Sequence, residues 1–217
     1  MNSAIIVAGG VSKRFGGEVP KQFVHVNGKE ILSFSVERFF SHTEIDEVVI
    51  VCNESWVGHV QKKYPHCKVV VGGETRQDSS LNGVNAVERK SEQVLIHDAA
   101  RPLVSDNIIS NCIKALDEGD GSVPVLNPVN SLIQLENNIA TYVNRSIIKE
   151  VQTPQCFKKN LILDALSSEL TGTDEIGIVL QATPRANIKF IEGEKNNFKI
   201  TTEIDLQFLS TLTETWI

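Results

Sequence analysis

Arg14 and Lys21 are the residues of this chain best suited to phosphate chemistry. They follow Ala8-Gly9-Gly10-Val11-Ser12, which the apolar run Ala4-Ile5-Ile6-Val7 precedes, and Lys21 stands in Pro20-Lys21-Gln22. Glycines without a Cβ let backbone N–H groups approach an anion closely. Amides alone can hold a pyrophosphate. A triphosphate undergoing reaction needs full charges as well, which a guanidinium and an ammonium supply. The glycine pair alone fits an ordinary tight turn; the cations beside it point to phosphate. No Gly-Lys-Ser/Thr follows, so the stretch is not a P-loop. The spacing is not Gly-x-Gly-x-x-Gly, and Val51-Cys52-Asn53-Glu54 offers no cleanly placed ribose-binding acid. A dinucleotide-binding oxidoreductase therefore fits less well.

Other stretches carry further chemistry. Asp98 closes the run Val94-Leu95-Ile96-His97 and is followed by Ala99-Ala100-Arg101-Pro102. An acid at the carboxyl end of a strand suits a magnesium ligand or a contact to a hydroxyl-bearing substrate. Arg101 can grip a phosphate through its fork of N–H donors, and Asp98 and Arg101 can equally pair with each other to fix the turn. In Gly73-Glu74-Thr75-Arg76-Gln77-Asp78-Ser79-Ser80, backbone groups can read a base edge or a ribose, while Asp78 or Ser79 can cap a helix. His97 reads as a packing or hydrogen-bonding residue, because no second His or Cys stands at ligand spacing. No Gly-x-Ser-x-Gly elbow supports a serine hydrolase.

Such residues need a scaffold that gathers distant strand ends. Apolar runs at Ile5–Ala8, Val48–Val51, Lys68–Val71 and Val94–Ile96 read as strands, and Val123-Pro124-Val125 continues the sheet. Helical patterns occupy Glu30–Phe40, Ser55–Tyr64, Ser79–Arg89 and a stretch from Ser105 or Asp106 to Leu116. This alternation predicts an α/β fold of Rossmann-like type, a mostly parallel sheet with helices on both faces. Ligands of such sheets sit beyond the carboxyl ends of the strands, where the glycine loop, Gly72-Gly73 and His97-Asp98 all fall. The alternation breaks near residue 130. Ser131–Leu135 and Ile139–Val143 read as a hairpin turning at Glu136-Asn137-Asn138, either an arm that meets another subunit or an edge hairpin on its own domain. Leu161–Leu166 and Glu203–Leu212 read as helices, and Ile188–Ile191 and Phe198–Ile200 as late strands.

The bulk properties bound the class. A chain of 217 residues with 41% hydrophobic content is long enough for one well-buried domain, expected to span 1–217 with residues 129–151 inserted as the arm. A net charge of −6 argues against a general nucleic-acid binder, though a local basic pocket can still attract an anion. Four scattered cysteines without a C-x-x-C pair suggest reduced thiols in a cytoplasmic protein. No apolar run is long enough to span a bilayer, and the N-terminal run reads as a first strand, not a signal peptide.

The order of these motifs resembles the cytidylyltransferases that attach CMP to small polyol phosphates, the methylerythritol and ribitol branches of one family. The resemblance runs through Ala8-Gly9-Gly10, Arg14-Phe15-Gly16, Pro20-Lys21-Gln22-Phe23, Gly72-Gly73 with Arg76 and Asp78-Ser79, and His97 to Pro102. It continues in Asn144-Arg145-Ser146, Gln152-Thr153-Pro154-Gln155, Thr173-Asp174-Glu175 and Asn197 to Thr201. It implies a nucleotide-diphospho-sugar transferase type of fold with a protruding dimerisation hairpin, CTP and a polyol phosphate as substrates, magnesium as cofactor, and a homodimer. Arg14 and Lys21 would hold the triphosphate and stabilise charge at the α-phosphorus. The segment Ala8, Gly9, Gly10, Val11, Ser12, together with Gly73, Glu74, Ser79 and Ala99, would bind the nucleotide. Asp98 would lie near magnesium and the acceptor. Arg101, Lys199 and Arg145 would contact the acceptor, Arg145 from the partner's arm. The sequence departs from the family after Pro128-Val129, where Asn130-Ser131-Leu132 replaces the usual Asp-Thr pair. Ser131 is the candidate acceptor-binding residue here, substituting from beside the acceptor-contacting threonine position, although a one-residue shift on a strand turns a side chain to the other face. The methylerythritol acceptor is expected first, ribitol 5-phosphate second. An oxidoreductase and a catalytically silent nucleotide binder are the remaining alternatives.

Overall fold

Apolar runs of four to seven residues become strands here because helices cover them on both sides. The structure, a computed structural model, describes residues 1–10 and 19–214. The first half runs β1 (Asn2–Ala8), β2 (His25–Val26), β3 (Lys29–Glu30), α1 (Ile31–Ser41), β4 (Glu47–Cys52), α2 (Val57–Lys63), β5 (Lys68–Val71), α3 (Arg76–Ala86), β6 (Gln93–Asp98), α4 (Asp106–Ala115) and β7 (Gly121–Leu126). The second half runs β8 (Leu132–Glu136), β9 (Ile139–Val143), β10 (Glu150–Val151), β11 (Gln155–Lys158), α5 (Lys159–Leu166), α6 (Glu175–Ala182), β12 (Ile188–Glu192) and α7 (Glu203–Thr213).

The main sheet has the order β10-β7-β11-β6-β1-β4-β5, with β12 also on β7. β1 pairs in parallel with β4 and β6, β4 with β5, and β7 with β12, whereas β11 runs antiparallel between β6 and β7. The mostly parallel sheet of the sequence reading is therefore present. Side-chain alternation builds its two layers. Ala4, Ile6 and Ala8 of β1 pack with Leu32, Val36 and Phe39 of α1 and Ile108 and Ile109 of α4. Ile5, between them, joins Val84 of α3, Ile162 and Leu166 of α5 and Ile176 of α6 on the other face. A Cβ on Gly83 would stand 2.4 Å from Ile5 Cγ2, so that glycine sets how closely α3 lies on the sheet.

Several expectations are corrected. The third helix begins at Arg76, not Ser79, because Thr75 and not Asp78 or Ser79 is its cap: Thr75 accepts from Asp78 N–H, and the Asp78 carboxylate accepts in return from Thr75 N–H. Phe198-Lys199-Ile200 is not a strand; it runs as irregular chain held to the sheet by Ile200 N–H donating to Ala100 O at 2.8 Å. The second helix is shorter than 55–64, its first turn being the tight turn Glu54–Trp56. The two-residue strands β2, β3 and β10, together with β11 and α6, escape the sequence reading. β11 has only four residues and shows no alternation. The signals for α6 were Asp174, which accepts from Gly177 N–H as N-cap, and Glu175 in the first turn.

The hairpin forms as expected. β8 and β9 pair in a two-stranded sheet of their own, reversing through Asn137 and Asn138, both at positive φ (49° and 64°). That is the backbone a two-residue hairpin turn requires and asparagine tolerates.

Candidate functional site

The carboxyl ends of β1, β4 and β6 open into a cleft of about 510 Å³, within the usual range for a small-molecule site. One wall is main chain. Ala8, Gly9 and Gly10 leave β1, and Gln22 Nε2 donates to Ala8 O (2.6 Å) and Gly10 O (3.0 Å), which fixes the start of the loop. Facing it are Gly73 and Glu74. Gly73 N–H donates to Ser79 Oγ at 3.1 Å, and that hydroxyl donates to Thr75 O at 2.9 Å. A Cβ on Gly73 would fall 2.1 Å from the Asp78 Cβ, so any side chain there would push the loop off the helix start.

The other wall is charged. Asp98, at the end of β6, is gripped by three cations. Arg76 donates from Nε (3.3 Å) and Nη2 (3.1 Å) to Oδ1, Lys199 Nζ lies 2.8 Å from Oδ2, and Arg101 Nε lies 3.7 Å from Oδ2. Arg76 Nη1 also donates at 2.6 Å to Glu175 Oε1, which Ser80 Oγ contacts at 2.6 Å. Two carboxylates thus stand against three cations, leaving one net positive charge facing the cleft. Burial opposes ionisation of Asp98, but Arg76, Lys199 and Arg101 outweigh it and hold the carboxyl well below the usual carboxylate range. Lys21 reaches the cleft from the turn Lys21–Phe23, its Nζ donating to Ile200 O at 2.5 Å.

The cluster is held from behind by a chain of polar contacts. His97, fully buried, lies 3.0 Å from Arg101 O through Nε2 and 3.0 Å from Thr153 Oγ1 through Nδ1; Thr153 Oγ1 in turn accepts from Asp98 N–H. These contacts assign the proton to Nε2, since a carbonyl can only accept. Arg101 Nη1 donates to Asn197 O at 2.7 Å, and Asn197 Nδ2 donates to Thr153 O, so the segment bearing Lys199 is pinned to the same chain. Burial lowers the His97 pKa from 6.5 to about 4. The folded protein therefore resists a proton that the unfolded chain accepts. Stability is full above pH 6.5 and falls as pH drops from 6.5 toward 4, by on the order of 3 kcal/mol for this group. Urea unfolding at pH 7 and pH 4.5 should show a smaller difference for His97→Gln than for the wild type. An unchanged difference would remove His97 from the acid sensitivity.

The expected residues divide cleanly. Ala8, Gly9, Gly10, Lys21, Gly73, Glu74, Ser79, Asp98, Ala99 and Lys199 line one cleft. Arg101 reaches it through Asp98. The internal Asp98–Arg101 pair is thus real, but it is one of three ion pairs on Asp98. Val11, Ser12 and Arg14 lie outside the described residues. Ser131 and Arg145 belong to the exposed arm, where Arg145 donates to Val129 O, and are not part of this chain's own cleft. Arg76, Gln22 and Glu175 stood in motifs quoted for the family, but their contacts become visible only once the strand ends meet.

Magnesium finds a poor fit on the protein itself. An ion on Asp98 would sit among three cations, and among the described residues no group of three His, Cys, Asp or Glu is placed to hold a metal. No helix of the described residues is long and apolar enough to cross a membrane.

A mostly parallel sheet that sets a main-chain pocket against a cation cluster at its strand ends is the fold of an α/β nucleotidyltransferase. Comparison with known proteins makes the class particular. The model of the IspD family, 2-C-methyl-D-erythritol 4-phosphate cytidylyltransferase, matches residues 2–214, and the chain belongs to that family. A 2-C-methyl-D-erythritol 4-phosphate cytidylyltransferase of Clostridium botulinum is 38% identical over 216 residues, 94% of each chain. A ribitol-5-phosphate cytidylyltransferase of Lacticaseibacillus paracasei is 34% identical over 227 residues, 95% of each. The crystal structure of 4-diphosphocytidyl-2C-methyl-D-erythritol synthase from Anaerococcus prevotii superposes with a TM-score of 0.88 at 25% identity, over 98% of this chain and 96% of that one.

Proposed function

We infer that the protein transfers CMP from CTP to 2-C-methyl-D-erythritol 4-phosphate with release of pyrophosphate. The observation that carries this is the cluster of Arg76, Arg101 and Lys199 around Asp98, set beside a pocket walled by main chain. An acceptor phosphate oxygen attacks the α-phosphorus in line. One P–O bond forms, the bond to the β-phosphate bridge breaks, and the pyrophosphate carries off the electron pair. No covalent enzyme intermediate is needed. The protein brings two polyanions together and neutralises the growing charge, so positioning and electrostatics do the catalysis. Lys21 faces the triphosphate from the β1 side, while Lys199, backed by Arg101 behind Asp98, faces the acceptor phosphate. Magnesium, which would add charge neutralisation on the phosphates, would have to come with the nucleotide, because Asp98 serves the cations as their counterion.

Pyrophosphate release with CTP tests this reading, run with methylerythritol phosphate and ribitol 5-phosphate in parallel arms. Release with the first alone is expected. Release with ribitol phosphate alone moves the chain to the other branch, and silence with both leaves a nucleotide binder. Saturable binding of magnesium to the nucleotide-free protein would return Asp98 to the role of metal ligand.

The homodimer belongs to the same proposal. Ile133, Leu135 and Tyr142 are 65%, 66% and 72% exposed, and the register Ile133↔Tyr142 puts them on one face of the hairpin. A lone two-stranded sheet is marginal in water, and an uncovered apolar face on it fits a second copy of this chain. Sedimentation at micromolar concentration should give twice the chain mass, and Tyr142→Lys with Ile133→Lys should halve it. A monomeric wild type would end the dimer reading.

A further inference from the structure

Lys21 acts only if its turn is held still, and the clamp of Gln22 on Ala8 and Gly10 fixes only the β1 side of that turn. The other side is held by Ile31 N–H donating to Val24 O at 3.0 Å and by rings outside the cleft. Phe23, 3% exposed, lies face to face on Trp56, with centroids 4.0 Å apart and planes 9° from parallel. His59 stands edge-on to both, 5.8 Å from Phe23 at 87° and 5.4 Å from Trp56 at 88°. Glu30, buried before α1, fixes that histidine through Nε2 at 2.9 Å and also holds Lys63 at 3.0 Å. Trp56 belongs to the turn that follows β4, and Asn53, which caps that turn by accepting from Ser55 N–H, also lines the cleft. The stack therefore ties the turn bearing Lys21 to the end of β4, as Gln22 ties it to the end of β1. Stacked and edge-on ring pairs of this kind contribute beyond their buried area.

We propose that Trp56, backed by His59 and Glu30, is a positioning residue for the reaction, setting through Phe23 where the Lys21 ammonium stands against the nucleotide phosphates. This rests on the assignment of Lys21 to the triphosphate. Loss of the stack lets the turn shift by a fraction of an ångström or more, and misplacement of that order costs turnover steeply. Acceptor binding is affected less than turnover, because Arg101 and Lys199 keep their bonds to Asn197 O and Asp98 when the contact of Lys21 with Ile200 O shifts.

A double-mutant cycle tests the proposal. Trp56→Ala should lower kcat at least about tenfold, with a much smaller change in the acceptor KM, and Trp56→Phe, which keeps a ring on Phe23, should restore most of it. In a Lys21→Ala background the Trp56→Ala change should have almost no further effect. Equal fractional losses in both backgrounds, or full activity of Trp56→Ala, would overturn the proposal while leaving the function standing. Undiminished turnover of Lys21→Ala alone would remove the parent assignment and this inference with it. Thermal melts of each variant, with Trp56→Phe as the folded control, separate a shifted turn from an unfolded chain.

Discussion

Lys21→Ala is expected to lower turnover by roughly 10²–10³, the scale for losing one preorganised charge-stabilising group. The ammonium lines the cleft beside Gln22, and it stands near the segment that carries Lys199, where two polyanions must approach each other. Removing it leaves the charge that develops at the α-phosphorus with one fewer full positive charge. The fold should survive, because the bond to Ile200 O is only part-buried and a hydrogen bond from a charged group contributes about 1.5–3 kcal/mol net, less than the total stability of a typical domain. Lys21→Arg should recover little, since a planar fork does not occupy the place of a compact point charge. Steady-state kinetics on folded variants reads the effect, and near-normal turnover would refute the role. The sequence and the family resemblance assign the same scale of loss to Arg14→Ala.

Glu175→Leu should destabilise the fold strongly, by about 3–5 kcal/mol, the scale for breaking a buried ion pair. Glu175 is 1% exposed and accepts from both Arg76 and Ser80, so its loss leaves Arg76 Nη1 and the Ser80 hydroxyl without their buried acceptor, while Asp98 still pairs with the rest of the guanidinium. Glu175→Gln keeps an acceptor in place but removes the charge, and should lose less. For a chain of this length each kcal/mol moves the melting temperature by about 2–4 °C. Urea titration of the two variants beside the wild type gives the ordering. A loss below about 1 kcal/mol for Glu175→Leu, the scale of an ordinary surface change, would show that Asp98 alone suffices to hold Arg76.

Much of the fold was legible because strand burial on both faces writes continuous apolar runs into the chain. Val48–Val51 and Val94–Ile96 could only be buried strands once helical stretches alternated with them. The hairpin was legible because its turn needs residues that accept positive φ, and Asn137-Asn138 supplies them. Short elements were not legible. β11 is set by pairing with β6 and β7, which lie far from it in sequence, and four residues carry no period of their own. Phe198–Ile200 has strand-like composition, but it pairs with no strand and is held by Ile200 N–H to Ala100 O, lying along the site where Lys199 meets Asp98.

Within the site, the sequence by itself determined the chemical inventory: a glycine-rich exit from β1, cations beside it, an acid at the end of β6 and a second glycine pair, all at strand ends. Residue type and local spacing suffice for that, because backbone reach and charge are local properties. Only the tertiary structure decided the partnerships. Arg76, Lys199 and Arg101 converge on one carboxylate, and a buried glutamate from α6 orients Arg76. Those contacts span up to about a hundred residues of chain, and no local pattern encodes a distance that only the stacking order of the strands creates.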